Sequence, residues 1–194
     1  MSKLYFRYSA MGAGKSLDLI KVAYNYEERG MPVVLYNSSL DTRYGEAQIT
    51  SRTGISMKSS TFNAETDFFS DFTDNYFAKD KKVGCVLVDE SQFLRKEQVR
   101  QLRLIVNKYE TPVICYGLRT DFQANLFEGS RWLFAWADAI EELKTICWCG
   151  KKATMNARIV DGKVTSEGEQ IQIGGNESYI ALCSRHYTNG ELEN

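Results

Sequence analysis

The sequence has no surplus of basic charge: 24 Lys and Arg stand against 25 Asp and Glu, interspersed rather than in blocks, for a net charge of −1. A chain that grips nucleic acid through its phosphates carries a basic excess or a basic face, so that class of function is set aside. No apolar run approaches the length needed to cross a bilayer, and the start Met1-Ser2-Lys3-Leu4 lacks a signal-peptide pattern. The expectation is a cytosolic protein with no nucleic-acid or membrane partner. Internal repeats and low-complexity segments are absent, and there is a single histidine, His186.

What is present is ordinary for a globular chain. Apolar residues make up 43% and charged residues 25% of 194. That length suits one domain, or one domain with a small appended module, and can bury a sizeable core without staples. Of the five cysteines, Cys85 and Cys115 sit inside apolar runs, whereas Cys147, Cys149 and Cys183 do not. In a reducing compartment the last three read as metal ligands rather than disulfide partners.

Leu4 to Tyr8 reads as a strand running into a Gly-containing loop, Ser9 to Ser16. Leu17, Ile20 and Tyr24 then follow helical spacing up to Gly30, a plausible residue just past a helix end. Val33 to Tyr36 and Cys85 to Val88 are short apolar runs of the kind found in buried parallel strands. Asp41 to Ala64, rich in Ser, Thr and Gly with weak periodicity, reads as a long mobile loop. Val99, Leu102, Val106 and Tyr109 mark an amphipathic helix, and Pro112 to Tyr116 another strand. Strand, helix and strand alternate, so the first part is expected to be a parallel α/β sheet. From Thr145 the texture changes to short alternating runs, with Asp161-Gly162 and Gly174-Gly175 as turn signals for hairpins. The expected division is residues 1–144 and residues 145–194.

Ser9-Ala10-Met11-Gly12-Ala13-Gly14-Lys15-Ser16 matches the Walker A phosphate loop except at its first position, where Ser9 replaces Gly. Glycines let such a loop turn its N–H groups toward phosphate oxygens, and the following helix adds its N-terminal partial charge. Lys15 would reach the outer phosphates and Ser16 would hold Mg²⁺. A chance Gly-Lys-Ser turn is the competing account; the strand before and helix after weaken it. Ser9 demands that its position need no positive φ.

Val86-Leu87-Val88-Asp89 has the Walker B form, which makes Asp89 the metal-side carboxylate. If the chain stays extended, Glu90 points to the opposite face, toward an acceptor hydroxyl or a water. The Asp-Glu pair alone does not separate a kinase from an ATPase. Cys147-Trp148-Cys149 and Cys183-Ser184-Arg185-His186 supply four soft or borderline donors suited to tetrahedral Zn²⁺. Four protein ligands leave no open position, so such a site is structural, worth roughly 10–16 kcal/mol to folding. The alternative is unrelated thiols and one surface histidine.

Taken together, these residues resemble the type II thymidine kinases, which join a P-loop α/β domain to a small zinc-binding β module carrying a lasso loop. The resemblance spans nearly the whole chain. It rests on Ser9 to Ser16, Asp41-Thr42-Arg43, Val88 to Phe93, Tyr116 to Phe122, and Gly174-Gly175 with Tyr179 before Cys183. It implies transfer of the γ-phosphoryl of ATP to the 5′-hydroxyl of thymidine, with deoxyuridine also accepted. It implies Glu90 as base, and a nucleotide site of Ser9 to Ser16 with Asp41, Thr42, Arg43, Asp89, Gln92 and the phosphate-contacting Arg158. Met11, Leu118, Phe122, Phe127 and Tyr179 would line the thymine pocket, with Gln170, Ile171, Gln172, Ile173 and Gly174 reading the base edge. It further implies structural zinc, Mg²⁺ bound with ATP, and a homotetramer. Spacing alone favours packed core for Phe122, Phe127 and Tyr179, and leaves Arg158 a basic strand residue. Two rival functions stand beside this one: a P-loop ATPase in which Glu90 activates water, and a non-enzymatic zinc-ribbon binding module.

Overall fold

The structure is a computed structural model that describes all residues except Arg43, Tyr44, Glu46, 172–177 and 193–194. Its elements run β1 (Leu4–Ser9), α1 (Lys15–Glu27), β2 (Val33–Ser38), β3 (Gln48–Thr50), β4 (Ser56–Lys58), β5 (Ser60–Phe62), α2 (Phe68–Asn75), β6 (Cys85–Val88), α3 (Lys96–Tyr109), β7 (Val113–Leu118), α4 (Glu128–Trp136) and β8 (Ala139–Glu142). These are followed by β9 (Thr145–Ile146), β10 (Lys152–Ala153), β11 (Met155–Val160), β12 (Lys163–Thr165), β13 (Tyr179–Leu182) and α5 (Ser184–Asn189).

The main sheet has six strands in the order β5-β2-β6-β7-β1-β8, all parallel. Its central strands β6 and β7 are apolar and buried along nearly their whole length because both faces are covered. Alternate residues feed two cores. Val34, Tyr36, Val86, Val88, Val113 and Cys115 pack with helices α2, α3 and α4 on one side. Leu35, Cys85, Leu87, Ile114 and Tyr116 pack on the other side with Leu19, Ile20 and Ala23 of α1 and with Ile49. The expected α/β architecture is therefore present, and Cys85 and Cys115 are both fully buried in it. No helix among the described residues is long and apolar enough to cross a membrane.

Beyond the main sheet, β9 and β10 form a short hairpin, and β12-β11-β13 a three-stranded antiparallel sheet. The β11–β12 turn falls at Asp161-Gly162, as the turn signal required, with φ positive at both residues (48° and 72°). The Gly174-Gly175 signal lies outside the described residues.

Two expectations are corrected. Helix α1 does not bury the stripe Leu17, Ile20 and Tyr24: Leu17 and Tyr24 are exposed, and the buried residues are Leu19, Ile20 and Ala23. Small Ala23 lets the helix sit close on the sheet, and a stripe chosen by side-chain size misses it. The segment from Asp41 to Ala64 is not one long loop. It contains the antiparallel hairpin β3–β4 and the edge strand β5, which pairs with β2. Its polar composition reflects a hairpin in which Ile49 is the one fully buried apolar side chain.

Helix α4 is seated by Gly129. A Cβ built there would lie 2.3 Å from the carbonyl oxygen of Ser91, inside the 3₁₀ turn Ser91–Phe93. Gly129→Ala should therefore destabilise the fold by about 1–3 kcal/mol through overpacking, measurable by urea unfolding. An unchanged midpoint would mean that the contact yields freely.

Candidate active site

Parallel strands bring their carboxyl ends to one edge of the sheet, and in open α/β folds that edge carries the ligand crevice. Here β1, β6 and β7 end at Ser9, Val88 and Leu118. Strand β1 runs into the phosphate loop, where Gly12 and Gly14 both have positive φ (78° and 75°) and Lys15 opens α1. Ser9 is not among the positive-φ residues, so its lack of glycine's freedom carries no strain there. It is buried, donates its hydroxyl to Ala10 O (2.6 Å) and accepts from Lys15 Nζ (3.3 Å). A cavity beside the loop is lined by Gly12, Gly14, Lys15, Ser16 and Glu90.

Asp89 follows β6 and is buried, and its Oδ2 accepts from the Ser16 hydroxyl at 2.8 Å. Burial, together with the neighbouring Glu90 carboxylate, pushes its pKa up to about 7 against the opposing help of Ser16, the Glu90 N–H and Lys15. Two hard oxygen donors this close, beside a phosphate loop, fit a small cation such as Mg²⁺. Glu90 is not extended. Its φ is 50°, so strand alternation does not aim it as expected from the sequence. Its side chain is aimed instead by Gln92, whose Nε2 donates to Glu90 Oε2 (2.5 Å) while its Oε1 accepts from Leu118 N (3.0 Å). The turn that allows this presses on Gly117, where a Cβ would come within 2.7 Å of Ser91 Oγ.

A second, largely apolar cleft encloses about 600 Å³ of empty space, its open mouth included. Met11, Leu118, Phe122, Phe127, Gln170, Ile171 and Tyr179 all line it, so the expected pocket residues come together. Phe122 and Phe127 are both buried and cleft-lining, which removes the choice between core and pocket. Gln172, Ile173 and Gly174 lie outside the described residues, as does Arg43. Asp41 and Gln92, expected with the phosphates, line this cleft rather than the loop cavity. Phe93, Thr120, Asp121 and Asn156 also line it and were not foreseen. Of these, Phe93, Thr120 and Asp121 lie in segments that the sequence singled out, Val88 to Phe93 and Tyr116 to Phe122, and Asn156 does not. Glu90, Met11 and Leu118 line both cavities.

Arg158 departs from expectation. It is buried, donates to the Tyr179 hydroxyl through Nη2 and Nε (2.7 and 3.0 Å), and stacks on Phe122 at 3.7 Å. It lines neither cavity. Paired with a phenol and a ring, its guanidinium braces the cleft wall instead of facing the phosphate loop.

Cys147, Cys149, Cys183 and His186 converge, their candidate ligand atoms lying within 4.8 Å of one another. Gly150 (φ 80°) closes the turn after the first pair, and Cys183 caps α5, which carries His186 one turn on. The imidazole presents Nδ1 to Cys147 Sγ (3.3 Å), faces Glu191 Oε2 through Nε2 (3.3 Å) and stacks on Trp148. A carboxylate on the far nitrogen is the usual outer partner of a metal-bound histidine. Burial opposes ionisation of Cys147, yet the N–H groups of Cys149 and Cys183 bring its pKa down to about 6. This donor set fits zinc. The cluster is tied to the cleft, since Tyr187 donates its hydroxyl to Phe122 O (2.6 Å) and Asn156 bridges Met11 N and Thr120 O.

The fold and site together define a P-loop nucleotide-binding α/β protein with a metal-fitting β appendage. The family model "TK: Thymidine kinase" matches residues 2–187. The chain is 55% identical over 188 residues to a thymidine kinase of Haemophilus influenzae (strain 86-028NP), covering 96% of both chains. It is 52% identical to the thymidine kinases of Pasteurella multocida (strain Pm70) and Shewanella oneidensis, covering 96% of this chain and 97% of each relative. The chain belongs to the thymidine kinase family.

Two expectations test the site. Cys183→Ser should lower bound metal from about one per chain to near none; unchanged metal by elemental analysis would refute the ligand set. Between about pH 4 and pH 7 folded Asp89 holds a proton that an unfolded Asp has lost, so stability falls as pH rises through that window. Asp89→Asn should thus raise the unfolding midpoint of the nucleotide-free protein at pH 8 by at least about 2 °C and leave it nearly unchanged at pH 4. Equal effects at both pH values would contradict the assignment.

Proposed function

We propose that this protein transfers the γ-phosphoryl group of ATP to the 5′-hydroxyl of thymidine, and of deoxyuridine, in nucleotide salvage. The observation that carries the reading is the position of Glu90, whose side chain lines both the phosphate-loop cavity and the apolar cleft. A carboxylate at that junction can take a proton from an acceptor in one cavity while phosphate lies in the other. The thymidine kinase relatives supply the acceptor's identity.

In this mechanism Lys15 and the loop N–H groups bind the outer phosphates. Ser16 and Asp89 would hold the Mg²⁺ that accompanies ATP and neutralises part of its charge. Gln92 fixes the Glu90 carboxylate, which receives the 5′-hydroxyl proton as the oxygen attacks in line. Phe122, Phe127, Leu118 and Met11 give the base a flat apolar wall. The buried Thr120 hydroxyl in that wall has no hydrogen-bond partner among the described residues and offers one fixed polar contact to the base. Gln170 donates to Asp121 (2.7 Å) and Gln123 to Ser166 O (2.7 Å), which holds residues 166–170 against the cleft and would help limit wasteful attack by water. Zinc in the Cys147, Cys149, Cys183 and His186 cluster is structural in this reading, the assembly a homotetramer like the rest of the family, and the setting cytosolic.

With ATP, Mg²⁺ and separate nucleosides, thymidine and deoxyuridine should yield monophosphates while deoxycytidine and purine nucleosides stay untouched. Hydrolysis of ATP with no nucleoside product would transfer Glu90 to a water-activating role and end the thymidine reading. Glu90→Ala should cut transfer by about 10²–10⁴-fold with ATP binding nearly intact; parallel loss of both would sink the base assignment.

A further inference from the structure

The β3–β4 hairpin has no part in the roles assigned above, yet its turn faces the phosphate loop. Thr50, Ser51, Arg52 and Thr53 line the same cavity as Gly12, Lys15 and Ser16. The hairpin is anchored from beneath, because Ile49 is buried in the core that α1 shares with the sheet. Ser51 fixes its turn: both its N–H (2.8 Å) and its hydroxyl (3.1 Å) donate to Ile55 O, and its Oγ lies 2.8 Å from Thr53 Oγ1. From this held turn Arg52 reaches back, its Nη1 lying 3.9 Å from where a Cβ on Gly12 would be.

Two features separate this residue from an ordinary solvated surface arginine. Its guanidinium makes no hydrogen bond or ion pair with any described residue, although its Nη1 lies beside the phosphate loop at Gly12. In the same cavity wall the Thr50 hydroxyl is buried with no hydrogen-bond partner among the described residues. An uncommitted planar cation and an orphaned hydroxyl on one wall, with Lys15 and two inward-turning glycines on the other, are complementary to an anion with several oxygens. The chemistry that fits is the outer phosphate of a nucleoside triphosphate.

We propose that Arg52 contacts the terminal phosphoryl oxygens of ATP from the hairpin turn and stabilises their charge during transfer. This assignment rests on the phosphotransferase reading and fills the arginine role from which the position of Arg158 withdraws that residue. In the step itself, the acceptor O–P bond forms as the β–γ bridging O–P bond breaks. The hydroxyl proton passes to Glu90, the bond's electron pair leaves with ADP, and Arg52 offsets part of the phosphoryl charge.

The test compares wild type, Arg52→Ala and Arg52→Lys in two measurements: ATP–Mg²⁺ titration without nucleoside, and steady-state transfer to thymidine. Since Arg52 is exposed and makes no pair with a described residue, both variants should unfold at the wild-type temperature. Arg52→Ala should lose about 10²–10³-fold in kcat, the scale seen when one charge-stabilising donor is removed, with about a fivefold or smaller loss in ATP affinity. Arg52→Lys should recover only part, lacking the bidentate fork. Arg52→Ala with kcat and ATP affinity both within twofold of wild type overturns the proposal. If wild type phosphorylates no nucleoside, the thymidine reading fails instead. The titration then still judges Arg52: weaker ATP binding by the Ala variant supports the contact, and unchanged binding overturns it.

Discussion

The Leu118 N–H donates to Gln92, and Gln92 donates in turn to Glu90, so the end of one strand holds the carboxylate that follows its neighbour. This relay works only because β6 and β7 run parallel and finish at the same edge of the sheet. It also needs room. Side chains on Gly117 and Gly129 would intrude on the 3₁₀ turn Ser91–Phe93 from two sides, so both positions are bare. The remaining parts are arranged around that fixed carboxylate: the phosphate loop from β1 on one side, the apolar cleft on the other. A displacement of the turn would move Glu90 relative to both cavities at once, and misplacements of about 1 Å suffice to cost large factors in rate.

The metal cluster supports this arrangement from outside. Its ligands come from either end of the segment that contains β11 and β13, so a closed tetrahedral site would hold the ends of that segment together. The segment in turn is fastened to the main sheet's edge. Asn156 on β11 accepts from Met11 N in the phosphate loop and donates to Thr120 O beyond β7. Arg119 donates to Thr154 O, and Tyr187 on the His186 helix to Phe122 O. Order imposed at the cluster therefore reaches the cleft through four hydrogen bonds plus the stacking of Arg158 on Phe122. A metal held there would need no open coordination position to influence the site.

Features that lie in one stretch of chain were legible in the sequence. Ser9 to Ser16, the apolar run ending at Asp89, and the Cys-x-Cys and Cys-x₂-His pairs each carry their own geometry in their spacing. The central strands were legible too, because a buried parallel strand leaves an unbroken apolar run. What failed depended on distant partners. Which side of α1 is buried was decided by how closely Ala23 meets the sheet, and Leu17 turned out to line the phosphate cavity. Arg52 carries no local signal at all; it acquires one only when the hairpin folds back along α1. Arg158 was assigned by its match to a family position, and the side chains it pairs with, Phe122 and Tyr179, are brought to it by separate segments. Glu90 shows the limit of periodicity: the right residue was named, but the extended-chain argument for its aim ended with the strand.

The site also carries features that a fold chosen for stability alone would avoid. Glu90 sits at positive φ without being glycine, and it neighbours a second buried carboxylate whose ionisation is opposed by burial and by Glu90 itself. Thr50 and Thr120 keep buried hydroxyls unpartnered, one in each cavity. Such departures collect where a ligand completes the structure. A cation between Ser16 and Asp89 would offset the repulsion between the two acids, and phosphate and base would supply partners for the hydroxyls. Such contacts would favour the form in which both cavities are occupied. Occupation of either cavity alone satisfies only half of these groups, and Glu90, shared by both, ties the two halves together.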